Sequence, residues 1–397
     1  MFLIRRCKPE DMEVLFKFAK MVHFINLPAD KDIISEKIRR SRMSFRAAKE
    51  GKELKAVAGD KSAVGASPLF MFALEDLETK NCLGSSMCVS KMGGPGHPNL
   101  SFMLQKKQFF SEDLQTGTTH TTAKLYMDES GPSEIGGLIL GPNSRRHPLK
   151  LGKQLSLVRF HYMGVHREQF GSKVLAEMMA PITPDGHNTL WEYLGRRFIN
   201  LPYTEADKFC QYSREFMVSL LPREEIYLSL LPPEARKLVG QVGNDTIPAR
   251  KMLEDIGFKY TGRIDPFDGG PHLEAVTDDI PIIKDTRILK ISGTCAQSRC
   301  NHEGFISIDG EDGNWRALHT PYRLVANGRG VELPKQAMEA LHPVEEDHAG
   351  VTPLVLSPKS KTKRVASGGS KSTKKPKSNA KPSSSAAKPT RKRATRS

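Results

Sequence analysis

The residues of this chain best suited to hold an anion stand at the opening of one helix-patterned run. Arg145, Arg146, His147 and Lys150 precede apolar Leu155, Val158, Phe160 and Met163, and Gly152 and Lys153 fall in the first turn. A helix N-terminus exposes unpaired backbone N–H groups and the positive end of the macrodipole, so cations and a glycine there suit a diphosphate. The same loop also fits a helix start whose basic residues are solvated at the surface. A second cluster, Cys295, Cys300 and His302, lacks the spacing of a zinc knuckle and no second pair follows, so no metal is expected.

Positioning such a loop takes strands and helices, and the pattern supplies both. Phe2-Leu3-Ile4-Arg5 reads as a short strand, and Pro9-Glu10-Asp11 opens a helix carrying Met12, Leu15, Phe18 and Met21 at helical spacing. Apolar runs over 68–77 and 82–90, separated by Glu78-Thr79-Lys80-Asn81, predict a hairpin. Residues 51–66 form a polar, insertion-like loop, and further strands are expected over 100–104, 123–127 and 135–140, the last ending at Gly141-Pro142. Strand and helix then alternate through 174–179, 189–198, 206–221 and 235–242. A short helix over 246–258 has Pro248 in its first turn and Gly257 at its end. From 286 to 356 the runs shorten between Gly, Asp and Asn, as in a small β-rich domain.

With 397 residues, 38% of them hydrophobic, the chain is long enough for two or three domains. Its net charge of +15 suggests a nucleic-acid binder until it is located. Residues 357–397 hold 14 Lys or Arg and no acid, leaving 46 basic against 45 acidic residues in the body. The body therefore has no excess charge with which to neutralise phosphates. The tail, rich in Lys, Ser, Pro and Ala, is expected to be disordered and to bind nucleic acid weakly, without sequence preference. No apolar run reaches membrane-spanning length, the N-terminal one is too short for a signal peptide, and the six cysteines show no disulfide rhythm. A cytoplasmic location without membrane attachment is expected.

Several stretches resemble one family, arginine N-succinyltransferase. They are Val174-Leu175-Ala176-Glu177-Met178, Trp191-Glu192-Tyr193-Leu194-Gly195-Arg196-Arg197-Phe198, Leu221-Pro222 with Ile226-Tyr227, Gly240-Gln241-Val242 and Phe267-Asp268-Gly269-Gly270-Pro271, in the family's order. A fainter likeness extends to Leu324-Val325-Ala326-Asn327 and leaves the tail uncovered. The opening strand and helix, the basic-glycine turn and the Ile256-Gly257-Phe258 helix end also resemble the wider acyl-CoA N-acyltransferase (GNAT-like) superfamily. The resemblance implies an α/β (α+β) class. A duplicated acyltransferase fold is expected over 1–145 and 146–285, then a small β-rich domain over 286–356 and the basic tail over 357–397.

The activity implied is transfer of succinyl from succinyl-CoA, a cosubstrate, to the α-amino group of L-arginine in arginine catabolism, without a metal and in an oligomer. Two alternatives stand beside it: another amine acceptor such as ornithine, or a weakened CoA-binding homologue tethered to nucleic acid by the tail. The family's acyl-CoA contact falls on Leu138, whose backbone N–H is the implied oxyanion donor, and Lys150, Gly152 and Lys153 would hold the diphosphate. For the arginine, Glu177, Asp265 and Asp268 are the acids within or beside the matching stretches, and Arg196 and Arg197 could receive a carboxylate. The family's proton-donor histidine is here Gly243, which cannot transfer a proton, so the catalytic acid is unassigned.

Overall fold

Alternation along the first strands sends apolar side chains to both sides of one sheet. On β1 (Phe2–Arg6), β2 (Leu69–Asp76) and β3 (Cys82–Val89), the side chains of Ile4, Phe70, Phe72, Leu74 and Cys88 join one core, and Leu69, Met71, Ala73 and Met87 join another. Helices cover both faces. Helix α1 (Met12–Met21) and α2 (Lys31–Lys49) contribute Leu15, Phe18, Ile34 and Ile38 to the second core, and α3 (Leu151–Val165) contributes Leu155, Val158 and Tyr162 to the first. Burial on both faces explains why β2 is a continuous apolar run.

The computed structural model describes residues 1–21, 27–52, 67–183, 186–344 and 348–356. Most of the insertion-like loop and all of the tail expected over 357–397 lie outside the described residues. The further strands are β4 (Asn99–Ser111), β5 (Thr116–Asp128), β6 (Ser133–Leu140), β7 (Lys173–Glu177), β8 (Ile226–Tyr227), β9 (Lys259–Ile264), β10 (Pro271–Val276), β11 (Arg287–Cys295), β12 (His302–Gly310), β13 (Asn314–Val325), β14 (Gly330–Pro334) and β15 (His348–Pro353). All fifteen lie in one sheet, ordered β12-β15-β11-β14-β13-β1-β2-β3-β6-β7-β10-β9-β4-β5-β8.

This topology changes the expected division of the chain. Met1–Ser357 cluster as one compact unit, so boundaries near 145 and 285 fall inside it. Strands of the two expected halves interleave: β4 pairs with β9 through Phe102↔Ile264, and β6 runs parallel to β7. Residues 286–356 are β-rich as expected, yet β13 continues the same sheet by pairing with β1 at Ile4↔Ala317. The run over 189–198 forms two short helices, Thr189–Tyr193 and Gly195–Phe198, because Gly195 lies against Trp191 where any Cβ would collide with the ring.

Side chains from distant segments fix α2 and α3 on the sheet. Asp30 caps α2 by accepting the N–H groups of Asp32 and Ile33, and Ser41 and Ser44 on α2 accept N–H groups of Met71 and Leu69 at 2.8 and 3.0 Å. Phe45, Phe72, Tyr162 and Trp315 pack edge to face, joining α2, β2, α3 and β13. His161 on α3 ties in the last strands through Ser307 Oγ and Thr352 Oγ1 at 2.7 and 2.6 Å, and burial pushes it down to about 3, so it stays neutral.

At the start of the sheet, Arg5 is buried between Asp11, bidentate at 2.8 and 2.9 Å, and Glu75 at 2.5 Å. Burial disfavours the guanidinium's charge, but the two carboxylates outweigh it. Removing Arg5 would leave the two buried carboxylates with only the exposed Lys8 ammonium, 3.7 Å from Glu75, as a paired cation among the described residues. Arg5→Met should therefore destabilise the fold by about 3–5 kcal/mol at neutral pH, measured by denaturant unfolding, whereas Arg39→Met, on an exposed pair with Glu36, should cost under about 1 kcal/mol.

Candidate active site where two strands part

The site begins with a failure of pairing. The parallel strands β6 and β7 share only Ser133↔Val174 and Glu134↔Leu175. Beyond Glu134, β6 stays with β3, while β7 stays with β10 through His272↔Glu177. A wedge opens between them. Within it β6 carries a bulge: the register passes from Met87↔Gly136 to Ser85↔Ile139, so Gly137 and Leu138 together face Ser86. Gly137 has φ +55°, and a Cβ there would strike Met87. The bulge takes the Leu138 backbone out of regular register, while its side chain packs on the core shared with α3.

Arg159 supports this strand from beneath. Its Nη1 donates to the Gly136 carbonyl at 3.3 Å, and Nε and Nη2 donate to Ser156. Burial pulls its guanidinium down to about 10.

At the far end of β6 the chain turns through 141–150 into α3. Lys150 is the N-cap in a left-handed conformation (φ 54°) and places no side-chain acceptor on the first-turn N–H groups, and no acid lies in that turn. Lys150 and Lys153 are exposed, and a Cβ on Gly152 would meet only Leu140 Cδ2, at 3.7 Å. The predicted residues thus stand together at an open, positive helix end.

On the face of the wedge away from α3 lies a buried charged group. Glu177, Asp265 and His272 bring donor atoms within 4.8 Å of one another. Arg214 Nη1 donates to Asn99 Oδ1 at 2.8 Å, and Asn99 Nδ2 donates to Glu177 Oε1 at 3.1 Å. Asp265 Oδ1 accepts the N–H groups of Phe267 and Asp268, and Asp268 accepts those of Ala180 and Gly270. Burial raises both aspartates. Asp268 latches the segment after β7 to the 265–270 turn, with both oxygens spent on backbone. Arg214 reaches this group through Asn99, while Arg263, paired with Asp128 and Glu274, acts with it on the charge of His272.

The cations nearest the wedge differ from those expected. Arg196 pairs with Glu192 at 2.7 Å on an exposed helix face, and Arg197 is exposed beside it, so neither joins the buried acids. Lys37 and Arg40 from α2, with Arg214 and Gln211, instead line a cavity of about 40 Å³ against Glu134 and Gly136 of β6. Burial, with Arg40 and Arg214 adding, pulls Lys37 down to about 8. Sequence reasoning missed Lys37, Arg40, Asn99, Arg214 and His272: Lys37 and Arg40 share one turn of α2, and the other three come from separate distant segments. Gly243 donates to Met179 O at 3.0 Å and packs against Ala180, so the position lies directly after β7 at the mouth of the wedge.

The family model described as the arginine N-succinyltransferase beta subunit matches residues 2–282. The chain is 32% identical over 295 residues to arginine N-succinyltransferase of Citrobacter koseri, covering 73% of this chain and 80% of that protein. The corresponding Shigella dysenteriae protein is 31% identical over 296 residues, covering 74% and 81%. Among solved structures, the arginine/ornithine succinyltransferase subunit AI from Pseudomonas aeruginosa is similar with a TM-score of 0.70 at 25% identity, covering 89% of this chain and 98% of that one.

Asp207 offers a test of the charge arrangement. Burial foremost, then Asp268, raises its carboxyl from 3.8 to about 7, against the pull of Arg214 and Lys37. The folded state thus holds this proton more tightly than the unfolded chain, and the stability this proton lends is lost as pH rises from about 4 to about 7. Asp207→Asn should therefore gain stability relative to the parent across that window and hold a constant margin above it, in thermal melts over a pH series. Parallel curves would contradict the assignment.

Proposed function

The chain belongs to the arginine N-succinyltransferase family, and we propose that it transfers succinyl from succinyl-CoA to the α-amino group of L-arginine. The observation that carries this reading is the wedge: two strands part beside a bulged backbone and an open helix end, with buried acids on the opposite face. Acyl transfer to an amine needs an N–H donor for the thioester oxyanion, a cradle for the diphosphate, and a site that orients the amine. The Leu138 N–H at the bulge fits the first role. The start of α3, with Lys150, Gly152 and Lys153, fits the second.

For the acceptor, Glu177 and Asp265 suit its cationic groups, and Lys37, Arg40 and Arg214 suit its carboxylate; these three cations replace Arg196 and Arg197 in that role. Asp268 acts by holding the 265–270 turn. The solved neighbour from Pseudomonas aeruginosa is named for arginine and ornithine together. Both amino acids join an α-amine and a carboxylate to a side-chain cation, so ornithine is the second acceptor to test. The tail's 14 basic residues would add weak, sequence-independent affinity for nucleic acid, apart from the reaction.

Mass spectrometry of full-length protein with succinyl-CoA or acetyl-CoA and a panel of amino acids tests the reading. Succinyl on the α-nitrogen of arginine, exceeding acetyl transfer, is expected; bound CoA with no transfer to any amine would overturn it. Gly152→Phe should leave the fold intact, since a Cβ there meets only Leu140 Cδ2, at ordinary contact distance. It should nonetheless weaken CoA binding at least about tenfold in calorimetry by blocking approach to the helix end. Unchanged affinity would place the diphosphate elsewhere.

A further inference from the structure

Two buried histidines of this chain are treated very differently. His161 satisfies both ring nitrogens, through Thr352 and Ser307. His272 is equally buried, and neither of its ring nitrogens has a hydrogen-bond partner. Leaving a buried polar group unmade carries a cost that a structural residue normally avoids. The pattern fits a group that meets its partner only when a ligand arrives. His272 opens β10 directly across from Glu177, with Nε2 3.8 Å from Glu177 Oε1, too long for a hydrogen bond. Glu177 is itself held by Asn99, and Asn99 by Arg214.

We propose that His272, oriented by Glu177, is the group that carries the α-amine's proton during acyl transfer, in place of the family histidine replaced here by Gly243. The assignment rests on the acyl-transfer reading above. Four ionisable groups face the imidazole: Glu177 on β7, Asp265 after β9, Arg263 on β9 and Arg214. Burial lowers its proton affinity, Glu177 opposes that, and Arg263 and Arg214 add to it, so the resting imidazole is neutral and able to accept a proton.

The proton balance closes around this one residue. His272 takes a proton from the α-ammonium, and the freed amine attacks the thioester carbon, forming the N–C bond. The tetrahedral adduct loses its second nitrogen proton to solvent, and the C–S bond breaks. The departing thiolate takes the proton held by His272, restoring the neutral imidazole. One proton is released per turnover, as amide formation from an ammonium and a thioester requires.

The test uses the full-length protein with succinyl-CoA and arginine. His272→Gln keeps a polar group of similar size that cannot carry a proton. Its kcat/KM near neutral pH should fall roughly 10²–10⁴-fold, with CoA affinity unchanged in calorimetry, and the deficit should shrink as pH rises and the free amine deprotonates unaided. Glu177→Gln should move the acidic limb of the pH profile to lower pH, because it removes the carboxylate that raises His272. This second variant decides the matter if His272→Gln fails to fold. An active parent whose profile is shared by His272→Gln, or an unshifted limb in Glu177→Gln, overturns the assignment and leaves the acyl-transfer reading standing. Activity abolished by chelation and restored by a stoichiometric divalent cation overturns it also. A parent that binds CoA and acylates no amine overturns the acyl-transfer reading itself.

Discussion

The proposed chemistry depends on the early parting of β6 from β7. Parallel strands ordinarily stay paired because each unpaired N–H and C=O exposes a hydrogen-bonding group that must be satisfied. Here pairing stops after two residues, and each strand finds its remaining partners on the side away from the other. The inner edges are left for something that resembles a strand. The pantetheine arm of an acyl-CoA, with its two amides, has that character. On the proposed function, the bulge at Gly137 and Leu138 would offer one backbone N–H to the thioester carbonyl, and the start of α3 would meet the diphosphate.

Charge is distributed around the wedge in a way that serves binding more than stability. Burying carboxylates is costly, and this protein buries Glu134, Asp265 and Asp268 in the region and half-buries Glu177 and Asp207. Asp268 spends both oxygens on backbone amides, whereas Asp265 spends only Oδ1 on two more. Arg214 lines the Lys37–Arg40 cavity and reaches Glu177 through Asn99. An amino acid with a cationic side chain is complementary to such a divided surface, because each of its charges replaces a missing partner.

How much of this was legible depended on whether the signal was local. The hairpin of β2 and β3, the start of α3 and the strands of 286–356 could be read because alternation, helical spacing and turn residues lie within a few positions. The joining of β13 to β1 could not, since it depends on register between segments more than 300 residues apart. The halves of β4 and β5 nearest their shared turn are largely exposed and, apart from Phe109 and Phe110, polar, so no alternating apolar face announces 13-residue strands. Arg196 and Arg197 were plausible because their stretch matches the family, yet residue type says nothing of exposure. His272 lies one residue beyond the Asp268-Gly269-Gly270-Pro271 turn. That adjacency was its one visible signal, and its meaning required knowing that Glu177 lies opposite.

On the proposed function the thioester sits in the wedge between β6 and β7, and a crystal structure of the full-length protein with CoA would show whether it does. The diphosphate should lie at the first turn of α3, against Gly152 and Lys153, and the sulfur between the two strands within reach of the Leu138 N–H. A well-ordered CoA lying elsewhere, with the wedge closed or filled by the protein's own side chains, would contradict it.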